Sequence, residues 1–208
     1  MTPPTPMIHV VDDDDSFRTA VTRLLRAAGY EVRSYRSAGE FLLARPGNAP
    51  GCVVLDVRLP GPSGLDLQEA FGQGTDTLPI IFLTGHGDIP MSVRAMKAGA
   101  VDFLTKPVQR PALLSAVRNA LARDGESRQA RDQDGTLRAR FETLTPRERA
   151  VFALVAAGKG NKEVAAQLDT SERTVKAHRA QVMRKLQVAS LAELVRIADR
   201  LQAPAPTA

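Results

Sequence analysis

Three short apolar runs, Met7 to Val11, Cys52 to Val57 and Ile80 to Thr84, limit this chain's fold more than any other feature. Each is too short for an ordinary helix and rich in β-branched side chains, and each ends at polar or glycine-containing sequence. That is the pattern of a strand buried on both faces. Glu31 to Tyr35 and Val101 to Leu104 are weaker candidates of the same kind. Between the runs the period changes. "SFRTAVTRLLRAAGY" sets Phe17, Val21, Leu24 and Leu25 on one helical stripe with Gly29 placed to stop it, and "SAGEFLLAR" and "SVRAMKAGA" behave likewise. Strands alternating with helices predict βαβ units. The expected fold of residues 1–122 is therefore α/β, a doubly wound five-stranded parallel sheet with helices on both faces.

Ligands of such sheets sit beyond the carboxyl ends of the strands, near the point where strand order reverses. The first run ends at Asp12 and Asp13, the third strand at Asp56 and the fourth at Thr84, while Lys106 and Pro107 follow the fifth. Taken singly, these have plain structural explanations: a strand end, a turn cap, a solvated lysine. Their joint arrival at one edge argues for chemistry. Clustered carboxylates repel one another, and a hard divalent cation such as Mg²⁺ relieves the repulsion while leaving coordination open for phosphate oxygens. A lysine adds a second positive centre and a threonine hydroxyl a donor, a set that suits phosphoryl transfer with one aspartate as covalent acceptor.

Neighbouring residues receive simpler readings. In the run Asp12 to Asp15, Asp15 is expected to cap the first helix and Asp14 to be a solvated turn residue. Pro60, Gly61 and Gly64 shape the loop after Asp56. His9, inside the first strand, reads as structural, and His86 in "TGHGD" as a polar surface group.

Charge separates the chain into unlike parts. Residues 1–122 hold 12 Lys+Arg against 12 Asp+Glu, whereas residues 123–208 hold 16 against 11, so the whole +5 excess lies in the second part. The segment 171–186 alone has five basic residues and one acidic, which points to a polyanionic partner. There "NKEVAAQLDTSERTVKAHRAQVMRKLQV" reads as a short helix, a polar turn at Asp169 to Ser171, and a longer helix with Val175, Val182, Met183 and Leu186 inward. This is a helix-turn-helix pattern, with Ser171 suited to cap the second helix and Asp169 or Thr170 as competitors. Its outward side carries Arg173, Lys176, Arg179 and Lys185, suited to phosphates and major-groove base edges. Residues 144–202 divide into four helical patterns, residues 123–143 read as a partly helical linker interrupted by Gly125 and Gly135, and residues 203–208 as a disordered tail.

The motifs also carry a resemblance. "HVVDDDDSFR", "CVVLDVRLPGPSGLDL" and "IIFLTGHGDIPMSVRAMKAGAVDFLTKP" resemble, in order, the flavodoxin-like receiver domain of two-component response regulators, most closely the FixJ-like group. Residues 144–198 resemble the small all-α, four-helix DNA-binding domain of the LuxR/NarL class. The resemblance implies Asp56 as phospho-acceptor, Asp13 as a direct Mg²⁺ ligand, Asp12 as a ligand acting partly through water, and the Arg58 backbone carbonyl as a third protein ligand. It implies Thr84 as a switch hydroxyl, Phe103 as a side chain that turns into the space Thr84 vacates, and Lys106 as the ammonium that contacts the phosphoryl group, followed by a cis peptide at Pro107. It sets Lys176, Ala177 and Ala180 nearest the bases, with Arg173, Thr174, Arg179 and Lys185 nearer phosphates.

The expectation is a transcription regulator rather than an enzyme. A sensor histidine kinase would phosphorylate it, promoting homodimerisation and binding to promoter DNA, with activation the expected outcome and RNA polymerase a further partner. Three rivals fit less well. An aspartyl-nucleophile phosphatase needs an acid/base carboxylate two residues after its nucleophile, where this chain has Arg58. A regulator gated by a small molecule needs an apolar pocket where this sheet offers a charged edge. A constitutive DNA binder would be indifferent to a phosphodonor. No stretch approaches the roughly 20 apolar residues of a membrane helix. The N-terminal "MTPPTPM" has no signal-peptide pattern, and the one cysteine, Cys52, has no internal partner for a disulfide; a cytoplasmic protein without membrane contact is expected.

Overall fold

The computed structural model describes residues 5–44, 49–71, 78–85 and 89–202. His86 and the tail 203–208 lie outside the described residues. The chain divides between Arg128 and Gln129 into two compact units.

In the first unit, five strands form one parallel sheet in the order β2-β1-β3-β4-β5: β1 (Met7–Val11), β2 (Glu31–Tyr35), β3 (Gly51–Asp56), β4 (Ile80–Thr84) and β5 (Asp102–Thr105). The order reverses between β1 and β3, whose ends therefore open a crevice. Side-chain alternation explains why the strands read as continuous apolar runs. Ile8, Val10, Cys52, Val54, Ile81 and Leu83 enter one core, and Val11, Val53, Leu55 and Phe82 enter the other. The first core is covered by α1 (Asp15–Ala27) and α5 (Arg110–Glu142). The second is lined by α2 (Ala38–Ala44), α3 (Gly64–Phe71) and α4 (Ile89–Lys97).

Inside β1, His9 is a structural group. Its Nδ1 lies 3.0 Å from the Tyr35 hydroxyl, and its ring stacks on Tyr35 and meets Phe41 edge-on. Burial, helped by the Arg33 charge, pushes its pKa down to about 4, so it is held neutral.

Two expectations are corrected. The cap of α1 is Asp14, not Asp15: Asp14 has extended backbone and its carboxylate accepts from the amides of Ser16 and Phe17 at 2.9 and 3.0 Å. Asp15 is already in the first turn, where its carboxylate takes the Arg18 guanidinium and faces Arg36 at 3.6 Å, and Arg18 above all holds its pKa below the usual carboxylate range. In a run of like residues only the turn geometry decides which one caps.

The second correction concerns residues 123–143, where no break occurs: α5 runs through both Gly125 and Gly135 to Glu142. Each glycine weakens a helix by about 1 kcal/mol relative to alanine, but tertiary contacts hold the helix at either end. Its buried stripe Leu113, Ala116, Val117 and Ala120 continues into Asp124, whose carboxylate accepts from the Gly51 amide at 2.9 Å and from Arg128 at 2.7 Å. Arg128 also donates to the Ala49 carbonyl at 2.7 Å. Farther on, Leu137 and Phe141 enter the core of the second unit, and Arg200 pairs with Asp134.

That second unit holds α6 (Pro146–Ala156), α7 (Asn161–Gln167), α8 (Glu172–Leu186) and α9 (Leu191–Gln202), with no strand among the described residues. Thr145 starts α6 with a full capping box, its hydroxyl accepting from the Glu148 amide while the Glu148 carboxylate accepts from the Thr145 amide. Val151, Phe152, Val155, Val164, Val175, Val182, Leu186, Leu194 and Ile197 form one apolar core.

Candidate phospho-acceptor site and nucleic-acid interface

Parallel strands deliver their carboxyl ends to one edge, and the loops there carry the polar residues. Asp12 follows β1 and is 1% exposed; Asp56 closes β3 and is 6% exposed. With the exposed Asp13 they present carboxylate oxygens all within 4.8 Å of one another. Lys106, after β5, joins them: its Nζ donates to Asp12 Oδ2 and Asp56 Oδ2, each at 2.6 Å. The Lys106–Pro107 peptide is cis.

The electrostatics follow from this geometry. Burial opposes charge on Lys106, but its hydrogen bonds and ion pairs with Asp12 and Asp56 outweigh burial and hold its pKa above the ordinary lysine value. Asp12 is raised, chiefly by burial and further by the Asp56 charge, against the opposing pull of Lys106. Lys106 thus pairs with two of three clustered carboxylates, a cluster of hard oxygen donors only. That set fits a hard divalent cation such as Mg²⁺ and suits no soft metal.

Backbone groups brace the carboxylates. The amide of Arg58 donates to Asp56 Oδ1 at 3.0 Å, and that of Asp14 to Asp12 Oδ1 at 3.0 Å. Gly64 begins α3 so close to the end of β3 that a Cβ there would run into the Asp56 carbonyl oxygen. Its own amide donates to the Val57 carbonyl at 2.9 Å. Thr84 is fully buried, and its carbonyl accepts from the Lys106 amide at 2.7 Å. Phe103 is half-buried, with its ring 6.1 Å from that of Phe82.

Three neighbours have roles that sequence reasoning misses. Gly64, by its pattern a turn residue, is required where α3 meets β3. Arg18 is buried and donates to the Asp12 carbonyl at 2.7 Å. Phe17, by its spacing a core residue, puts its ring 4.3 Å from the Lys106 ammonium. Nothing in the local pattern marks these roles: Phe17 depends on a lysine brought from the end of β5, and Gly64 and Arg18 on how the chain folds back over Asp56 and Asp12.

In the second unit, α7, the turn and α8 form the helix-turn-helix. Ser171 caps α8, its hydroxyl accepting from the Thr174 amide at 3.1 Å, while Asp169 takes a left-handed conformation in the turn. Arg173, Lys176, Ala177 and Ala180 are exposed, and Thr174, Arg179 and Lys185 are half-buried. Two of the expected phosphate contacts are engaged inside the unit. Arg179 donates to Asn161 Oδ1 at 2.5 Å; Lys185 donates to Glu148 Oε2 at 2.6 Å and to the Thr143 carbonyl at 3.0 Å.

Comparison with known proteins gives a family for each unit. Residues 8–118 match the response regulator receiver domain, and residues 142–198 match the bacterial regulatory proteins of the luxR family. The chain belongs to the two-component response regulators. It is 50% identical over 195 residues to Nodulation protein W of Bradyrhizobium diazoefficiens, covering 94% of this chain and 86% of that protein. It is 42% identical over 193 residues to the transcriptional regulatory protein FixJ of the same organism, covering 93% and 94%. Among solved structures, response regulator StyR matches with a TM-score of 0.81 at 47% identity, covering 94% of this chain and 99% of that one. This response regulator therefore pairs a receiver with a LuxR-type helix-turn-helix domain that binds DNA, and no helix among the described residues is long and apolar enough to cross a membrane.

Proposed function

We propose that this response regulator accepts a phosphoryl group on Asp56 from a sensor histidine kinase and thereby controls its own dimerisation and its binding to promoter DNA. The observation that carries the reading is the clustering of the Asp12, Asp13 and Asp56 carboxylates, with Lys106 Nζ 2.6 Å from two of them, Asp12 and Asp56. Asp56 is the acceptor because it closes the strand beside the switch point and its Oδ1 is held by the Arg58 amide. One of its oxygens attacks the phosphorus of a phosphohistidine; the O–P bond forms, the N–P bond breaks, and the imidazole leaves. Lys106 stabilises the charge on the transferred group. Asp13, Asp12 and Asp56 with the Arg58 carbonyl would hold Mg²⁺, which supplies positive charge opposite the phosphoryl oxygens.

The switch acts through Thr84 and Phe103. The new dianion draws the buried Thr84 hydroxyl toward it, and Phe103 turns into the vacated space, reshaping the face made by α4, β5 and α5. Apolar side chains on α4 support a dimer there: Ile89, Val93 and Met96 lie at positions i, i+4 and i+7, and all are exposed. On DNA, Lys176, Ala177 and Ala180 face base edges, and Arg173 and Thr174 face phosphates, with Arg179 and Lys185 behind them. Ala180 is too short for directional base readout. Residues 1–122 are the receiver, 144–202 the output domain and 123–143 the connection. The protein works in the cytoplasm as an activator, with RNA polymerase as a further partner.

Two experiments test this. Asp56→Asn must abolish label incorporation from labelled acetyl phosphate with Mg²⁺. Beryllofluoride with Mg²⁺ must increase the dimer fraction in gel filtration and the affinity for promoter DNA; unchanged values overturn the switch.

A further inference from the structure

We infer that Phe17 is a positioning residue for Lys106, its ring face holding the ammonium in line with the acceptor carboxylate. The inference rests on the reading of Asp56 as acceptor and adds a specific part to it. The ammonium of Lys106 has three N–H bonds. Two directions are taken by Asp12 Oδ2 and Asp56 Oδ2, each 2.6 Å away. On another side lies the Phe17 ring, its centroid 4.3 Å from Nζ, within the range at which a cation is attracted by an aromatic face. The ring is held in turn: Phe17 sits in the first turn of α1, its amide bonded to the Asp14 cap, and its side chain packs against the core of Val21, Leu25 and Val54.

This arrangement matters most when Asp56 changes. A free lysine side chain has several rotatable bonds, and its position at this site depends on its partners. Once an Asp56 oxygen bonds to phosphorus, that partner is altered, and the Asp12 carboxylate and the ring keep the ammonium beside the developing negative charge. A π face suits this task because it attracts the cation without offering a carboxylate that would compete with the phosphoryl oxygens. An apolar ring offers neither a nucleophile nor a proton to the transfer, so its part is to position Lys106.

The test compares Phe17→Leu, which keeps apolar bulk without a π face, with Phe17→Tyr and Phe17→Trp, which keep the face. Label incorporation from acetyl phosphate at saturating Mg²⁺ should slow about three- to tenfold in the leucine variant and remain within twofold of the parent in the other two. A second readout uses the protein without donor or metal. The Lys106 ε-methylene protons should show a ring-current upfield shift by NMR in the parent and in the tyrosine and tryptophan variants, lost in the leucine variant. Parent-like incorporation by the leucine variant overturns the inference, as does an unchanged Lys106 shift in it. So does an equal slowing in all three variants with unchanged thermal midpoints. Failure of the acceptor reading is distinguishable: Asp56→Asn would then incorporate label like the parent, while the Lys106 shift still reports on Phe17.

Discussion

At the edge of the receiver sheet, Asp12 and Asp56 are buried, share one lysine and are braced by backbone amides, whereas on α8 Arg173 and Lys176 stand in solvent with their charges available. The first region keeps charges where burial disfavours them and offsets that with short, directed hydrogen bonds. The second leaves its charges hydrated. Arg179 and Lys185 share a helix with the exposed pair yet behave like the receiver edge, tied to Asn161 and Glu148. Proximity to a functional face therefore does not determine what a basic residue does; its partner does. Groups with internal partners should register in stability, and groups without them in binding.

The largest expected effect is at Gly64. Gly64→Ala forces a Cβ into the backbone at Asp56, so chemical denaturation should show a loss of about 3 kcal/mol; a loss under about 0.5 kcal/mol would mean that the receiver edge yields as readily as a surface loop.

Next is His9, which carries the same principle into the core. Its pKa is about 4 in the folded protein against an ordinary value of 6.5 in the unfolded chain, so the neutral form is favoured by folding. Its contribution is fully present above pH 6.5 and is lost as pH falls toward about 4, a range worth about 3 kcal/mol. Urea titrations should show a shallower fall of stability with acid in His9→Asn than in the parent. Parallel curves would mean that His9 plays no part in the acid sensitivity.

Lys185 sharpens the comparison within one helix. Lys185→Met leaves Glu148, whose pKa the Lys185 hydrogen bond holds down, without its cation, and should destabilise the protein by about 2 kcal/mol in thermal or urea unfolding. The smallest stability effects belong to Arg173→Ala and Lys176→Ala, each within about 0.5 kcal/mol of the parent. On the proposed reading of α8, Arg173 is a phosphate partner and Lys176 a base partner, so in DNA-binding titrations Arg173→Ala should lower the slope of log affinity against log salt by about one and Lys176→Ala should relax sequence preference. A salt slope untouched by Arg173→Ala would contradict the assignment of α8 to DNA.

Much of the fold was legible because its signals are local. Runs of buried apolar residues marked β1, β3 and β4, weaker runs marked β2 and β5, and the bounds shifted by one residue at β3 and β5, where Gly51 and Thr105 join the ladder. The candidate site was legible because parallel strands bring their ends to one edge, so Asp12, Asp13, Asp56, Thr84 and Lys106 could be grouped before their distances were known. The helical cap was not legible: within Asp12 to Asp15, identical side chains carry no mark of which backbone is extended. Nor was the continuity of α5, since Gly125 and Gly135 are unfavourable locally and the helix is supported by tertiary contacts, among them those of Asp124, Arg128, Leu137 and Phe141.

By itself, then, the order of residues determined the strand–helix alternation, the acidic strand ends, the basic segment of α8 and the helix-turn-helix pattern, because hydrophobic periodicity and charge act over a few neighbouring residues. Only the tertiary structure decided that Lys106 spans Asp12 and Asp56, that Phe17 lies against that lysine, that Gly64 must lack a side chain, and that Lys185 serves Glu148. Each of those depends on a contact between residues 37 or more positions apart or on a close backbone approach, and the energy of such contacts is set by distance and burial that no local pattern encodes.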